Sequence, residues 1–357
     1  MPEGPEILYS SIVIKKLIKN YTFSTIDSFS DKQVKIPQNL KENLKNTKSG
    51  KVINIDCKGK VMWIEIENIN QIQIKNDNKD NKDNKDKKDN KDNKDNKDKK
   101  DNKDNKKDNK DNKKDNKNIK LVKDSIFIHI HYGITGWLVD KEPEKYLKYK
   151  LCFKKDKKEK CLFMKDKRRF SKIQFLTREE HEIEINKLGP DIFTKEFSEN
   201  KFKTLIKSKK KILASYLMDQ KAMCGIGNYI KNDAMYLSKL NVAVKTSELK
   251  EEQIKELYKN ILFVSYSKLM THLSDSGITK NLPKNRKTNE PKKLEIPYEF
   301  KVYNQKETNN GKKVMKVTIG GRDSYSTEEY IPKTVKEKKR KSTNERGYQN
   351  KKITNSK

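Results

Sequence analysis

Met1-Pro2-Glu3-Gly4-Pro5-Glu6 opens the chain, and the reading of these six residues decides the rest. Removal of Met1 would expose the secondary amine of Pro2 as the N-terminus, and such an amine is a nucleophile. An α-amino group titrates near ~8, against ~10.4 for a lysine, so a useful fraction is neutral at physiological pH. Glu3 and Glu6 set two carboxyls close to it in sequence. Pro5 suits the first turn of a helix carrying Ile7, Ile14, Leu17 and Ile18. A positive helix end beside the amine disfavours its protonated form. An ordinary capped N-terminus would use the same residues, so the stretch needs support from the remainder of the chain.

The 357 residues suffice for two domains with cores of their own. The formal charge is +33, and two segments of the sequence distort it. Residues 76–118 repeat Asn, Lys and Asp with no apolar side chain and a net charge of +4, and the tail 333–357 has a net charge of +8. The other 289 residues still carry +21, which favours a polyanionic partner. Cys57, Cys152, Cys161 and Cys224 show no Cys-x-x-Cys spacing, which argues against a disulfide framework and against structural zinc. No apolar run approaches ~18 residues, and no long apolar core marks a signal peptide, so an intracellular protein is expected.

Beyond the first helix the pattern is β-type. Ile53 and Ile55 alternate with polar residues, and Val61-Met62-Trp63-Ile64-Glu65-Ile66 is rich in strand formers. Between them Cys57-Lys58-Gly59-Lys60 reads as a turn with Lys60 at a hairpin tip. The tract 76–118 reads as a disordered insertion between two strands, which loop-closure entropy tolerates. The strand Ser125–His131 runs into a loop with two glycines, Tyr132-Gly133-Ile134-Thr135-Gly136-Trp137. A hairpin follows at 151–164, then the cationic turn Lys165-Asp166-Lys167-Arg168-Arg169-Phe170. From Leu188 onward helices are expected, one capped by Thr194, another opening at Gly225-Ile226-Gly227-Asn228, and a long one capped by Ser247. The amides at the Asn228 helix start suit phosphate. Residues 274–294 read as a mobile lysine-rich loop. Phe300–Tyr303 and Val314–Ile319 read as a hairpin around Asn309-Asn310-Gly311, with Arg322 on the turn after it.

Three motifs together resemble the formamidopyrimidine-DNA glycosylase / endonuclease VIII family: the opening hexapeptide, Asp166–Phe170, and Leu217-Met218-Asp219-Gln220-Lys221 with Gly225–Tyr229. Gly4 is more typical of the endonuclease VIII branch, and the lack of cysteine after Cys224 resembles its zincless-finger members. The resemblance implies an α+β fold: a β-sandwich with flanking helices (1–187), a helical domain with a helix–two-turns–helix motif (188–294), a zincless β-hairpin finger (295–332) and a basic tail (333–357). It implies a bifunctional glycosylase/AP lyase that removes oxidised pyrimidines and formamidopyrimidines without metal or other cofactor. The partner would be double-stranded DNA bearing an oxidised base or abasic site, met by a monomer with no membrane attachment. By position, Pro2 would attack the sugar, Glu3 would move protons there, and Lys60 would complete the catalytic set by gripping a flanking phosphate. The DNA-contacting set would be Glu6, supporting the site from its helix, with His131, Ile134, Arg168, Phe170, Asn228 and Arg322. Ile134 stands where a Met or Leu is usual, and its β-branch makes it a stiffer wedge. Should Arg322 not grip phosphate, Arg286 is the next candidate. The run Lys336–Lys341 is dense enough for nuclear import, or for general affinity to DNA. Two other readings remain: a non-catalytic nucleic-acid-binding module, for which Pro2 and Glu3 would be superfluous, and a basic chromatin-associated protein.

Overall fold

The computed structural model describes residues 2–29, 35, 38, 50–73, 119–278, 282–286 and 289–333. The tract 76–118 and the tail beyond 333 lie outside the described residues. By contacts the chain forms two units, Met1–Asn68 with Asp124–Lys357, and Ile69–Lys123. The helices, the site and all but the far ends of two strands belong to the first.

Helix α1 (Gly4–Ile18) is followed by strands β1 (Thr22–Ser28), β2 (Val52–Lys58), β3 (Val61–Gln73), β4 (Ile119–His131), β5 (Gly136–Val139), β6 (Leu147–Lys155), β7 (Lys158–Asp166) and β8 (Lys172–Thr177). They form two four-stranded sheets in the orders β1-β6-β7-β5 and β2-β3-β4-β8. Alternation sets the packing: Ile126, Ile128 and Ile130 on β4 and Ile173 and Phe175 on β8 are buried in the common core with Leu151, Phe153, Leu162 and Met164 of the other sheet. Phe23 and Phe175 meet across the layers at 5.6 Å. The expected sandwich is present, with α1 laid against β2.

The outer face of β4 is covered by α2 (Arg178–Asn186), a helix that the sequence reading left out. Its signal is a capping box: Glu180 N donates to Thr177 Oγ1 at 3.3 Å, and Thr177 N donates to Glu180 Oε2 at 2.9 Å. Under α2, His129 Nε2 and His181 Nδ1 lie 2.6 Å apart, and His181 stacks on Phe127 at 3.9 Å.

The helical part comprises α3 (Glu199–Lys207), the single turn α4 (Leu213–Tyr216), α5 (Asn228–Leu237) and the 25-residue α6 (Glu251–Asp275). Helix α5 opens where expected. The other two caps differ: α3 is capped by Ser198, while Thr194 Oγ1 donates to the Asp191 carbonyl. The long helix starts after Lys250 because Thr246–Glu248, which contains Ser247, is a separate 3-10 turn. Within 274–294, expected to be a mobile loop, Arg286 is buried. Its guanidinium donates to Asp56 Oδ1 and the Cys57 carbonyl at 2.6 Å each and to Asp191 Oδ2 at 3.3 Å. Gly59 N also donates to Asp191 Oδ2, so the Lys60 hairpin is tied to the turn that begins the helical part.

Two further expectations are corrected. The finger hairpin is β9 (Val314–Ile319) with β10 (Arg322–Thr327), not Phe300–Tyr303 with Val314–Ile319. Gly320 and Gly321 both have positive φ, 56° and 74°, as a two-residue hairpin turn of type I′ requires. Asn309-Asn310-Gly311 instead makes a local turn in which Gly311 N donates to the Thr308 carbonyl. Cys152 and Cys161, directly opposite on β6 and β7, form a disulfide, although their spacing argued against a disulfide framework. A cross-strand bridge follows from register, which sequence spacing alone does not display.

Burial pushes the His129 imidazole down to about 3, reinforced by His181 and His131, and lowers His181 as well. His129 stays neutral in the folded protein while an unfolded histidine protonates near ~6.5. The stability is therefore intact above about pH 6.5 and falls as the pH drops below it, by on the order of 2 kcal/mol from His129 alone at about pH 5. Melting at pH 7 and pH 5 checks this: His129→Gln should show a much smaller acid loss than the parent. An equal loss in both proteins would place the acid sensitivity elsewhere.

Candidate active site

The first turn of α1 leads into the candidate site. Glu3 N donates to Glu6 Oε2 at 2.9 Å, which fixes the entry to the helix and the direction of Pro2. The Glu3 side chain turns away from its own helix to the start of α5. Tyr229 N donates to its Oε1 at 2.9 Å and Ile230 N to its Oε2 at 3.3 Å. Gly227 is required by this approach, because a Cβ there would sit 2.0 Å from Glu3 Cδ. The amides expected to bind phosphate thus serve Glu3 instead. Asn228 keeps its place at the helix start, with its buried Oδ1 unpartnered.

Glu3 is buried, and that burial raises its carboxyl to about 7, against the opposing pull of Lys60 and the two backbone donors. Burial likewise lowers the Lys60 ammonium, with Glu3 favouring its charge and Arg322 disfavouring it. A carboxyl poised near neutrality beside an amine whose own proton affinity is lowered can give and take a proton at physiological pH. Glu6 lies beneath, accepting from the Tyr229 hydroxyl at 2.9 Å and from His272 Nε2 at 3.1 Å.

Pro2 lines a cavity of about 410 Å³ together with Glu6, Ile134, Trp137, Tyr229, Phe300 and Tyr303. Several rings in the wall touch one another: Tyr229–Phe300 and Phe300–Tyr303 are each 5.4 Å apart between centroids. Asp233 on α5 positions this wall, accepting from Val302 N and Tyr303 N at 3.0 Å and from the Tyr298 hydroxyl at 2.9 Å.

Ile134 reaches the cavity on the loop that the sequence singled out. That loop is tied to the cationic turn: Thr135 Oγ1 donates to Asp166 Oδ1 at 2.6 Å, and Arg168 N donates to Thr135 Oγ1 at 2.9 Å. Burial would raise the Asp166 carboxyl, but hydrogen bonds from Thr135, Ser171 and Arg168 outweigh it and hold it below the usual range. Lys148 Nζ donates to the Arg169 and Ser171 carbonyls at 2.5 Å. On this rigid turn Phe170 is 51% exposed, with the Arg168 guanidinium 5.1 Å from its ring centre. An apolar ring held out on a cationic turn fits insertion between bases.

Of the expected residues, Pro2, Glu3, Glu6, Lys60, Ile134, Asn228 and Arg322 converge, Arg322 being exposed at the start of β10 with its charge felt at Lys60. Arg168 and Phe170 border the same loop. His131 does not line the cavity: it ends β4 opposite Lys172, on the face that carries His129. Burial, then Lys172, lowers its imidazole. Arg286 is structural. His272, Trp137, Phe300 and Tyr303 were missed. His272 lies 266 residues from Glu6, and nothing in the sequence marks the pair.

Comparison with known proteins agrees with this geometry. The family model for the formamidopyrimidine-DNA glycosylase H2TH domain matches residues 188–272. A formamidopyrimidine-DNA glycosylase of Prochlorococcus marinus (strain MIT 9301) is 22% identical over 275 residues, 74% of this chain and 78% of the relative. One from Acaryochloris marina is 27% identical over 163 residues, 43% of this chain, so the chain spans about half (55%) of that relative's length. Among solved structures, the Lactococcus lactis enzyme, non-covalently bound to DNA containing an AP site, superposes with a TM-score of 0.58 at 16% identity, covering 91% of this chain and 97% of that one. The MutM (Fpg) protein of Thermus thermophilus gives 0.57 at 18% identity, with the same coverage. The fold is shared over nine-tenths of the chain, and the H2TH match falls on the helices that hold Glu3. The H2TH match, the relatives and the shared fold all support the formamidopyrimidine-DNA glycosylase family.

Proposed function

We propose that the protein is a bifunctional DNA glycosylase/AP lyase acting on oxidised pyrimidines and formamidopyrimidines in double-stranded DNA. One observation carries the proposal: the Pro2 end of the chain lines a ring-walled cavity beside a buried carboxyl raised to about 7. Once Met1 is removed, the Pro2 nitrogen attacks C1′ of an extruded nucleotide, and the damaged base departs with the glycosidic electron pair. Glu3 protonates the ring oxygen as the C1′–O4′ bond opens, leaving an iminium. Loss of a C2′ proton expels the 3′ phosphate, and a second elimination expels the 5′ phosphate. Water then cleaves the iminium and returns the free amine. Extrusion costs a few kcal/mol, and a wedge or stacking partner worth about 1–3 kcal/mol per base offsets much of it; Phe170 and Ile134 are placed for this. Lys60 and Arg322 neutralise the flanking phosphates. The basic run Lys336–Lys341 fits a nuclear protein.

Borohydride should trap a covalent complex with abasic DNA, and Pro2→Gly or retained Met1 should suppress it at least tenfold. Undiminished trapping by both would move the nucleophile to another amine. Proton delivery by Glu3 is available below about pH 7 and lost above it, whereas cleavage at a preformed abasic site depends on it less. The ratio of excision rate to abasic-site cleavage rate should therefore fall as the pH rises from about 6 to about 8. Glu3→Gln should lower that ratio at every pH, and a flat, unchanged ratio in both proteins would contradict the role.

A further inference from the structure

Lys231 is a fully buried lysine that the proposed chemistry does not use. It sits in the first turn of α5, and its ammonium donates to the Asp323 carbonyl and to Ser324 Oγ, each at 3.0 Å. The next residue, Asn232, accepts from Tyr325 N through its Oδ1 at 3.0 Å. Consecutive residues of α5 therefore hold consecutive residues of β10 immediately after Arg322. The same helix receives Glu3 at its start, which gives a short rigid path from Glu3 through α5 and Lys231 to Arg322.

The finger needs such a tether. A two-stranded hairpin alone is marginally stable in water, and no cysteine follows Cys224 to hang it on a metal. An apolar side chain could fill the space of Lys231 without the desolvation cost of an ammonium. That cost is visible: burial pulls Lys231 down to about 8, with Glu3 and Asp323 favouring its charge and Arg322 opposing it. What an apolar residue could not do is bind the backbone carbonyl adjoining Arg322. We infer that Lys231 is a positioning residue, whose ammonium fixes the finger hairpin to α5 and so sets where Arg322 meets the phosphate of the lesion nucleotide. The inference rests on the proposed function for the role of Arg322, but not for the tether itself.

Two measurements on the full chain separate these parts. Hydrogen exchange of the 314–327 amides should quicken in Lys231→Met at least tenfold, with the β6–β7 hairpin unchanged. Ser324→Ala, which removes one of the two acceptors, should show a smaller change in the same place. Unaltered exchange in both variants overturns the tether. Binding to an abasic duplex across a salt series then tests the consequence. Lys231→Met and Arg322→Ala should each lower the salt slope by about one and raise KM more than they lower kcat. The double variant should be no worse than Arg322→Ala, because both changes remove one phosphate contact. Additive losses would show that Lys231 does not act through Arg322. Quickened exchange in a protein with no salt-dependent affinity for the duplex would retain the tether and overturn the functional reading.

Discussion

The Glu3 carboxylate, seated on the first amides of α5, is the contact on which the rest of the site depends. Its two backbone donors are charge-assisted hydrogen bonds, typically worth about 1.5–3 kcal/mol, and they lie where the helix dipole favours negative charge. They join the first turn of the chain to residues 229 and 230, so the N-terminal residue is held by a helix far away in sequence. The approach is close enough to forbid any side chain at position 227. Pro2 could not keep a fixed direction if its neighbour were anchored only to its own helix.

Three buried carboxylates divide the remaining work. Glu3 faces the chemistry, Asp166 closes the turn that projects Arg168 and Phe170, and Asp233 gathers the backbone of 301–303 that carries Tyr303. Asp166 and Asp233 spend their acceptors on loops, and loops so held can present exposed or cavity-facing side chains without collapsing onto the core. Asp233 and Glu3 are both raised by burial, yet Glu3 feels the charge of Lys60 and adjoins Pro2, which lines the cavity. The same physical shift therefore marks a structural joint in one place and, in the proposed function, a proton-handling group in the other. Arg286 supplies the opposite sign, pairing with Asp56 and Asp191 to set the hairpin that brings Lys60 to Glu3.

Much of this was legible in the sequence because it is local. Pro5 in the first turn, alternating isoleucines on β4, and glycines before Asn228 each announce an element with its own physical reason. The cationic turn was readable as a turn, although the function of Asp166 as its clasp was not. Misreadings arose where tertiary contacts outranked local preference. Phe300 and Tyr303 have strand-like character, but Asp233 draws their backbone into a loop, and Gly320-Gly321 offers a better turn than Asn309-Asn310-Gly311. Arg286, in a stretch that looked solvated, is buried because two distant carboxylates converge on it. Contacts such as His272–Glu6 and Cys152–Cys161 are set by packing and register, and neither leaves a periodic trace.

In the proposed function the chain's own N-terminal nitrogen is the nucleophile, held in place by Glu3. The most direct test is to reduce the complex formed with an abasic duplex, digest it and locate the nucleotide adduct by mass spectrometry. The account predicts that the adduct lies on the Pro2 nitrogen of a peptide lacking Met1. An adduct on the peptide containing Lys60, with the N-terminal peptide unmodified, would contradict it.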